Sequence, residues 1–287
     1  MIACNGGNQK DSSKQTDFSI VKTDTTQPIT ATADTAAVST ETYVAGIISR
    51  RQAIASQLPG LNAEKAAQLY QSLASYVDSV LGDIADRETV WLDQYANYSS
   101  EAEAPAKVQQ RVKLLATAGL EPWGIGEGYS ILRTVPDFYT GLFKNSLPAD
   151  HNKYLQLKAD EDTVLYSADA GLVIPFNLIG KRALNWEKFL DTYPGSTFFI
   201  SARELFEGYC TDYLFGEDNT PSFDNESLNS LLPENKEEYL SFIQQHGDTK
   251  TGNIVKQFMS RLGTEKNNDS LRLHMRTTIE SAYPSKK

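Results

Sequence analysis

A long amphipathic helix is encoded by residues 69–98, which read LYQSLASYVDSVLGDIADRETVWLDQYANY. Apolar residues recur in it every three or four positions, which is the spacing of a single helix face. These positions are Leu69, Tyr70, Leu73, Tyr76, Val77, Val80, Leu81, Ile84, Trp91 and Tyr95. Asn62 suits the N-cap of this helix, and Gly82 is the weak point within it. The stretch therefore predicts one helix from about residue 62 to about residue 98.

The same spacing marks the rest of the chain after residue 42. A first helix is predicted from about residue 42 to residue 58, where Pro59 and Gly60 stop it. Further helices are predicted over residues 105–118, 134–143, 148–157, 175–193, 201–215, 233–246, 251–262 and 269–282. Only residues 172–174 have the character of a strand. We therefore expect an all-α, bundle-like globular domain of about ten helices with little or no sheet.

The first 42 residues have a different composition. Residues 5–42 contain Phe18 as their one aromatic residue and no leucine, and Thr, Ser, Asp, Lys, Gln and Ala dominate. Such a segment buries too little apolar area to offset its loss of chain entropy, so we expect it to be disordered. As a coil it would reach roughly 35 Å. We therefore divide the chain into a Thr/Ser-rich tether over residues 1–42 and a helical globular domain over residues 43–287.

The residues around Cys4 carry a resemblance to a known class of proteins. Ile2 and Ala3 stand directly before Cys4, and a polar stretch of Asn, Gly and Ser follows. This arrangement resembles the lipobox of bacterial lipoproteins, and the resemblance is confined to these few residues. It implies removal of a signal peptide before Cys4 and attachment of a lipid to the Cys4 sulfur.

The lipobox resemblance also implies a location. A lipoprotein is held at a membrane through its lipid, and Asn5, rather than Asp, after the cysteine fits outer-membrane sorting in Gram-negative bacteria. We therefore expect a lipid-anchored protein of the bacterial cell envelope, on the outer membrane, with its domain facing the periplasm or the cell surface. No apolar run approaches the roughly 20 residues of a membrane-spanning helix, so the lipid is the expected membrane contact.

The net charge and the few cysteine and histidine residues indicate which partners and which chemistry to expect. The formal net charge is -10, and an acidic surface repels phosphate backbones, so nucleic-acid binding is not expected. Cys210 lies in an apolar helical pattern and is expected to be a buried free thiol. His151, His246 and His274 each stand among polar residues, so each is expected at the surface rather than as a base or metal ligand.

Common catalytic and cofactor motifs are absent from the sequence. It contains no Gly-x-Ser-x-Gly, P-loop, His-Glu-x-x-His or Cys-x-x-Cys pattern. We expect no cofactor and no metal site, and the sequence leaves open whether the protein is an enzyme. Residues 217–226 are rich in oxygen ligands but lack the spacing of a calcium-binding loop, so a solvated loop is the expected structure.

A glycine-rich stretch at residues 124–128 lies between two aromatic residues. Trp123 and Tyr129 flank it and can stack on a sugar ring, while Glu121 or Glu127 accepts hydrogen bonds from sugar hydroxyl groups. Trp123, Glu127 and Tyr129 are therefore the candidate ligand-binding residues. The alternative is an irregular connection between helices, in which the glycines supply positive φ angles and Trp123 fills the core.

A pair of glutamates provides a second candidate site. Glu204 and Glu207 stand one helical turn apart, with Asp212 beyond them. Paired carboxylates perform acid–base chemistry in glycosidases when a cleft separates them by roughly 5–10 Å. The alternative is an exposed helix face on which Arg203 and Glu207, four residues apart, form an ion pair.

Three functions are consistent with these features. The favoured one is a binding or scaffolding domain for a glycan or a protein partner in the envelope. The first alternative is a carboxylate-dependent hydrolase of glycans or cell wall, with Glu121, Glu127, Glu204 and Glu207 as candidate residues. The second alternative is an immunity or inhibitor protein, whose acidic charge would suit a basic enzyme of the envelope.

Overall fold

The computed structural model describes residues 38–98, 100–225 and 227–284. The predicted lipid-attachment residue Cys4 and the tether up to residue 37 lie outside the described residues.

The folded domain begins a few residues earlier than the sequence indicates. Residues 40–42, assigned above to the tether, form the first turn of a helix. The Ser39 hydroxyl caps this helix by accepting a hydrogen bond from the Thr42 backbone N–H at 3.3 Å. Thr40 is buried and its hydroxyl donates to the Glu88 carboxylate at 2.6 Å. Polar contacts rather than apolar spacing start this helix, which is why a search for apolar periodicity places the boundary too late.

Ten α-helices make up most of the described part of the domain, which confirms the all-α prediction. They are α1 Thr40–Gln57, α2 Ala63–Tyr95, α3 Ala106–Thr117, α4 Phe138–Phe143, α5 Ala149–Glu161, α6 Phe176–Thr192, α7 Phe199–Phe215, α8 Pro233–His246, α9 Lys250–Arg261 and α10 Asn268–Ala282. Each coincides closely with a stretch of helical spacing, because burial of an apolar face is the main source of helix stability. Within the described ranges, none of them combines the length and apolar character needed to cross a membrane.

The long helix α2 forms as its sequence predicts. The Asn62 side chain caps it by accepting a hydrogen bond from the Lys65 backbone N–H at 2.9 Å. The apolar stripe is buried along its length, at Ala66, Tyr70, Leu73, Val77, Val80, Ile84 and Leu92. Gly82 lies inside the helix without ending it, because packing of the neighbouring residues outweighs the roughly 1 kcal/mol cost of a helical glycine.

In the ranges that the structure describes, three small antiparallel sheets of two strands each accompany the helices. Their strands are β1 Leu120–Gly126 with β2 Tyr129–Thr134, β3 Ser167–Ala168 with β4 Gly171–Leu172, and β5 Gly216–Glu217 with β6 Thr220–Pro221. The strand expected over residues 172–174 is present only at Leu172. It stops there because Pro175 already serves as the N-cap of α6.

The β1–β2 hairpin replaces the irregular connection that the sequence indicates over residues 121–129. Its turn consists of Glu127 and Gly128, whose φ angles are 52° and 77°. Positive φ at both central residues is the geometry of a two-residue hairpin turn that matches the twist of the strands. The glycine-rich stretch is therefore a hairpin turn, and residue 134, expected to begin a helix, instead ends β2.

Two large hydrophobic cores and a smaller cluster around α3 lie in the described part of the domain. The first is formed by α1, α2 and α4 together with Leu120 and Leu132 of the hairpin. The second is formed by α6 to α10 and contains Cys210, which is buried and free as predicted. The rings of Tyr154 and Phe198 are stacked, with centroids 4.1 Å apart, and pack against both cores. The two cores are thus joined through an aromatic contact.

Candidate functional site

A cleft of about 490 Å³ lies between the β1–β2 hairpin and helices α5, α6 and α7. The alternation of side chains along a strand gives the hairpin two different faces. Leu120 and Leu132 on one face are buried in the first core. On the opposite face Trp123 pairs with Ile131, and both side chains line the cleft. The hairpin therefore forms one wall of the cleft and the three helices form the other.

The hairpin wall contains an arginine stacked on an indole ring. The Arg133 guanidinium carbon lies 3.5 Å from the centroid of the Trp123 ring. The Arg133 Nε–H donates to Glu121 Oε1 at 2.9 Å, so the guanidinium also has a carboxylate partner. The stacking and the ion pair together hold the Trp123 ring in place on the wall.

The opposite wall contains a buried network of hydrogen bonds. The Glu161 carboxylate, in a residue that is 6% exposed, accepts from Trp186 Nε1 at 2.8 Å and from the Tyr209 hydroxyl at 2.9 Å. The Tyr209 hydroxyl in turn accepts from Arg182 Nη1 at 3.3 Å. Arg182 Nη2 donates to the Glu161 backbone carbonyl at 3.1 Å. Arg182, Tyr209 and Glu161 are therefore fixed relative to one another by contacts from three helices.

A second carboxyl group lies beside this network. The Tyr166 hydroxyl donates to Asp212 Oδ2 at 2.8 Å. The rings of Tyr166 and Tyr209 meet edge to face with centroids 5.2 Å apart, so the two tyrosine–carboxyl pairs are neighbours in the cleft. Both tyrosine pKa values are raised by burial, which keeps the hydroxyls protonated and able to donate.

Burial shifts the protonation of both carboxyl groups. It raises the pKa of Glu161 above its usual range, although the hydrogen bonds from Tyr209 and Trp186 favour the ionised form. It likewise raises the pKa of Asp212, against the effect of the Tyr166 hydroxyl. Desolvation dominates in both cases because a carboxylate loses more hydration on burial than a neutral carboxylic acid does. The cleft therefore holds two acids that take up protons more readily than exposed ones.

The mouth of the cleft carries exposed polar and apolar groups. Lys158 Nζ lies 3.4 Å from Asp162 Oδ1, one helical turn along α5. Glu204 is exposed at the rim, close to Leu205. Together with the deeper residues, these groups offer cationic, carboxyl, hydroxyl and aromatic surfaces within one cavity. Such a combination suits a ligand with many polar groups on an apolar framework.

The structure separates the three candidate ligand-binding residues. Trp123 lines the cleft, is half-buried, and belongs to neither hydrophobic core. Glu127 is exposed in the hairpin turn. Tyr129 is 58% exposed, and neither it nor Glu127 is among the residues lining the cleft. Ligand binding by each of the three stays a prediction, but only Trp123 is placed at the cavity.

The candidate catalytic carboxylates are likewise dispersed. Glu121 is bonded to Arg133, and Glu204 lines the cleft. Glu207 lies 3.3 Å from Arg203 Nε, which is the ion pair considered as the alternative. Only Glu204 of this pair lines the cleft, whereas both glutamates line a separate cavity of about 320 Å³ beside α10, so acid–base chemistry by this pair stays a prediction.

Two of the three histidines, His151 and His246, are half-buried rather than exposed. The His151 side chain is 15% exposed; its ring lies 4.8 Å from that of Phe198, and its Nδ1 lies 3.1 Å from Asp150 Oδ1. The prediction of a surface histidine is wrong there, because packing between α5 and the start of α7 covers the ring. His274 is exposed, as expected. Among the described residues, no group of three or more His, Cys, Asp or Glu side chains is arranged to hold a metal ion.

Glu161, Arg182 and Tyr166 are cleft residues that the sequence analysis does not identify. A signal exists for Arg182, which lies three residues after Ile179 and four before Trp186 on the apolar face of α6. A charged residue at such a position is almost always paired or functional. Tyr166 and Glu161 offer no comparable signal, because only the tertiary fold brings them to the cleft.

Comparisons with known proteins identify no relative of this chain. No protein-family model matches the chain, and neither the curated proteins nor the solved structures contain a significant match. The geometry of the cleft is therefore the basis on which a function is proposed.

Proposed function

We propose that the protein is a lipid-anchored component of the bacterial cell envelope whose helical domain binds a glycan in the cleft. The observation that carries the glycan proposal is the combination of Trp123 on one wall with the Glu161, Arg182 and Tyr209 network on the other. Sugars have apolar C–H faces and peripheral hydroxyl groups, and proteins bind them with aromatic rings and with fixed donors and acceptors.

The size and rigidity of the cleft support this proposal. Its volume of about 490 Å³ lies within the roughly 300–1,000 Å³ typical of ligand pockets. The polar side chains are held by hydrogen bonds to one another, so little conformational entropy is lost when a ligand binds. The lipid anchor in the proposal rests on the lipobox-like residues around Cys4.

Binding is tested by titrating the protein with envelope glycans and muropeptides and measuring heat release and melting temperature. A ligand of the folded state raises the melting temperature with concentration. Trp123→Ala is expected to weaken binding about tenfold or more while the domain stays folded, because Trp123 belongs to neither core.

Tyr129→Ala is the matched control, since it removes a more exposed aromatic side chain from the same hairpin, outside the cleft lining. It is expected to leave affinity unchanged. Equal effects of the two substitutions would contradict a site in the cleft and favour one at the hairpin tip.

Hydrolysis of a bound glycan is the second candidate function. The observation that favours it is the presence of two carboxyl groups with raised pKa, Glu161 and Asp212, in a single cleft. In glycoside hydrolysis one protonated carboxyl donates a proton to the leaving oxygen, while an ionised one activates water or attacks the sugar carbon.

Release of reducing ends from a bound glycan tests this second candidate. Asp212→Asn is expected to lower turnover by roughly 10²–10⁴-fold with binding retained. If the unaltered protein turns over none of the glycans that it binds, hydrolysis is excluded and glycan binding remains the proposed function.

A further inference from the structure

Arg182 is a buried cation at the cleft that forms no ion pair with a carboxylate of the described residues, although its guanidinium lies near the Tyr166 and Tyr209 rings. It is 5% exposed, although its side chain contributes to the cleft lining. Of the five N–H groups that a guanidinium carries, two donate hydrogen bonds, to the neutral Tyr209 hydroxyl and the Glu161 backbone carbonyl. In the described part of the chain, no carboxylate forms an ion pair with Arg182.

The other two cations of the cleft differ from Arg182 in this respect. Arg133 has Glu121 as its partner, and Lys158 has Asp162. The Glu161 carboxylate is connected to Arg182 by hydrogen bonds through the Tyr209 hydroxyl, and the charge of Arg182 acts on the Glu161 carboxyl without an ion pair between them. An arginine stays protonated in proteins, and a buried charge without an ion-pair partner costs free energy. A ligand that brings an anionic group to this guanidinium would lower that cost and gain a charge-assisted hydrogen bond.

We infer that the ligand of this cleft is an acidic glycan, and that a carboxylate of one of its sugars binds the guanidinium of Arg182. The inference rests on the proposed glycan-binding function and specifies its substrate class. The planar guanidinium matches a carboxylate, which accepts two parallel N–H hydrogen bonds.

The charges around Arg182 select a carboxylate over a phosphate. Glu161, Glu204 and Asp212 also line the cleft and would repel a dianion more strongly than a monoanion. A sugar carboxylate brings one negative charge, which equals the single charge of the Arg182 guanidinium. Its ring would extend toward the hairpin wall, where Trp123 and Ile131 supply apolar surface.

The experiment compares pairs of oligosaccharides of which one member carries a sugar carboxylate and the other does not. Titration calorimetry of the full chain is performed with an oligouronate and its methyl ester, and with muramic-acid-containing and N-acetylglucosamine-only oligomers. Inorganic phosphate serves as a separate probe for a general anion site. We expect the acid member of a pair to bind about tenfold more tightly than its neutral counterpart.

The variants Arg182→Lys and Arg182→Gln test whether Arg182 causes the preference for the acidic oligosaccharide. The lysine variant keeps the charge but loses the planar fork, so it remains informative if the glutamine variant does not fold. In both folded variants the preference for the acid is expected to shrink several-fold, while affinity for the neutral oligosaccharide changes little. Arg272→Gln is the matched control, because Arg272 stacks on Phe215, outside the cleft lining.

The possible outcomes distinguish a failure of the acidic-glycan inference from a failure of the proposed glycan-binding function. Equal affinity for acid and ester would overturn the inference and leave glycan binding standing. A preference for the acid that persists undiminished in Arg182→Lys would also overturn it, since another group would then bind the carboxylate. Phosphate binding tighter than uronate binding would replace it with a general anion site. Binding of neither member of any pair, nor of neutral glycans, would overturn both the inference and the proposed function.

Discussion

Four charged residues are buried in the described part of the chain, Glu88, Glu161, Arg182 and Glu187. Glu88 pairs with Arg111 and accepts from Thr40, which ties α1, α2 and α3 together. Glu187 accepts from backbone N–H groups at the start of α9. In these two residues both carboxylate oxygens have partners within the fold, so a structural role accounts for them. Glu161 and Arg182 differ because both line a cleft open to a ligand.

Asp212→Asn is expected to change how stability depends on pH. A carboxyl whose pKa is raised by folding stabilises the protein fully below its unfolded pKa, and this contribution is lost as the pH rises through the folded pKa. Burial raises the pKa of Asp212, whereas an amide stays neutral at every pH. The free energy of unfolding of the variant should therefore rise relative to the unaltered protein as the pH increases above about 4, the ordinary pKa of an aspartate. Urea denaturation at a series of pH values measures the difference, and a difference independent of pH would contradict the raised pKa.

At the scale of elements, the β1–β2 hairpin shapes the cleft. Its residue pairing places Trp123 and Ile131 on the same face, and a register shift between Gly124 and Gly126 follows. The end of β1 approaches the β3–β4 turn, which lies on the helical side of the cleft. A Cβ on Gly126 would stand 2.8 Å from Ala168 Cβ and 2.9 Å from Asp169 Oδ1. This close approach fixes how far the hairpin stands from the opposite wall.

Gly126→Ala is expected to destabilise the domain by about 1–3 kcal/mol and to weaken ligand binding. Gly126 has a φ of 97°, which an alanine adopts only with strain, and the added methyl group would meet Ala168. Gly124→Ala is the control on the same strand, since its Cβ would meet nothing within 4 Å. Thermal or urea denaturation compares the two, and equal stabilities would show that the hairpin tip moves freely.

At the scale of the whole molecule, the cleft lies where elements of the two cores approach each other. Its hairpin wall is anchored in the first core by Leu120 and Leu132, and its helical wall belongs to the second core through α6 and α7. Ligand sites often lie at such boundaries, because a cavity between two cores leaves the packing within each core intact. The stacked pair Tyr154 and Phe198 holds the two cores together beside it.

For the molecule as a whole, we predict that a lipid on Cys4 attaches the protein to a membrane. If Cys4 carries a lipid, a metabolic fatty-acid probe in the native host should label the protein and fractionate it with membranes. Cys4→Ala should abolish both results, because thioether attachment requires the sulfur. Label that persists in Cys4→Ala would contradict the lipoprotein prediction.

The helices can be predicted from the sequence because helical spacing is a local property. The stripe from Tyr70 to Ile84, the Asn62 cap and the buried Cys210 all follow from residues a few positions apart, and the structure confirms them. The sequence does not predict the hairpin because two strands joined by Glu127 and Gly128 produce a short apolar alternation that also fits a loop. Its stability depends on packing against α2, which no local pattern displays.

The sequence by itself determined the fold class, the helix positions and three residues that line the cleft, Trp123, Glu204 and Asp212. Tertiary structure alone decided the site, because Glu161, Arg182 and Tyr209 belong to three different helices, and their hydrogen bonds join residues 21 to 48 positions apart. It also decided which acids are buried, and hence that Asp212 rather than Glu207 has its carboxyl in the cleft. Hydrogen bonds and desolvation at this site depend on distances in space, and helical periodicity records only distances along the chain.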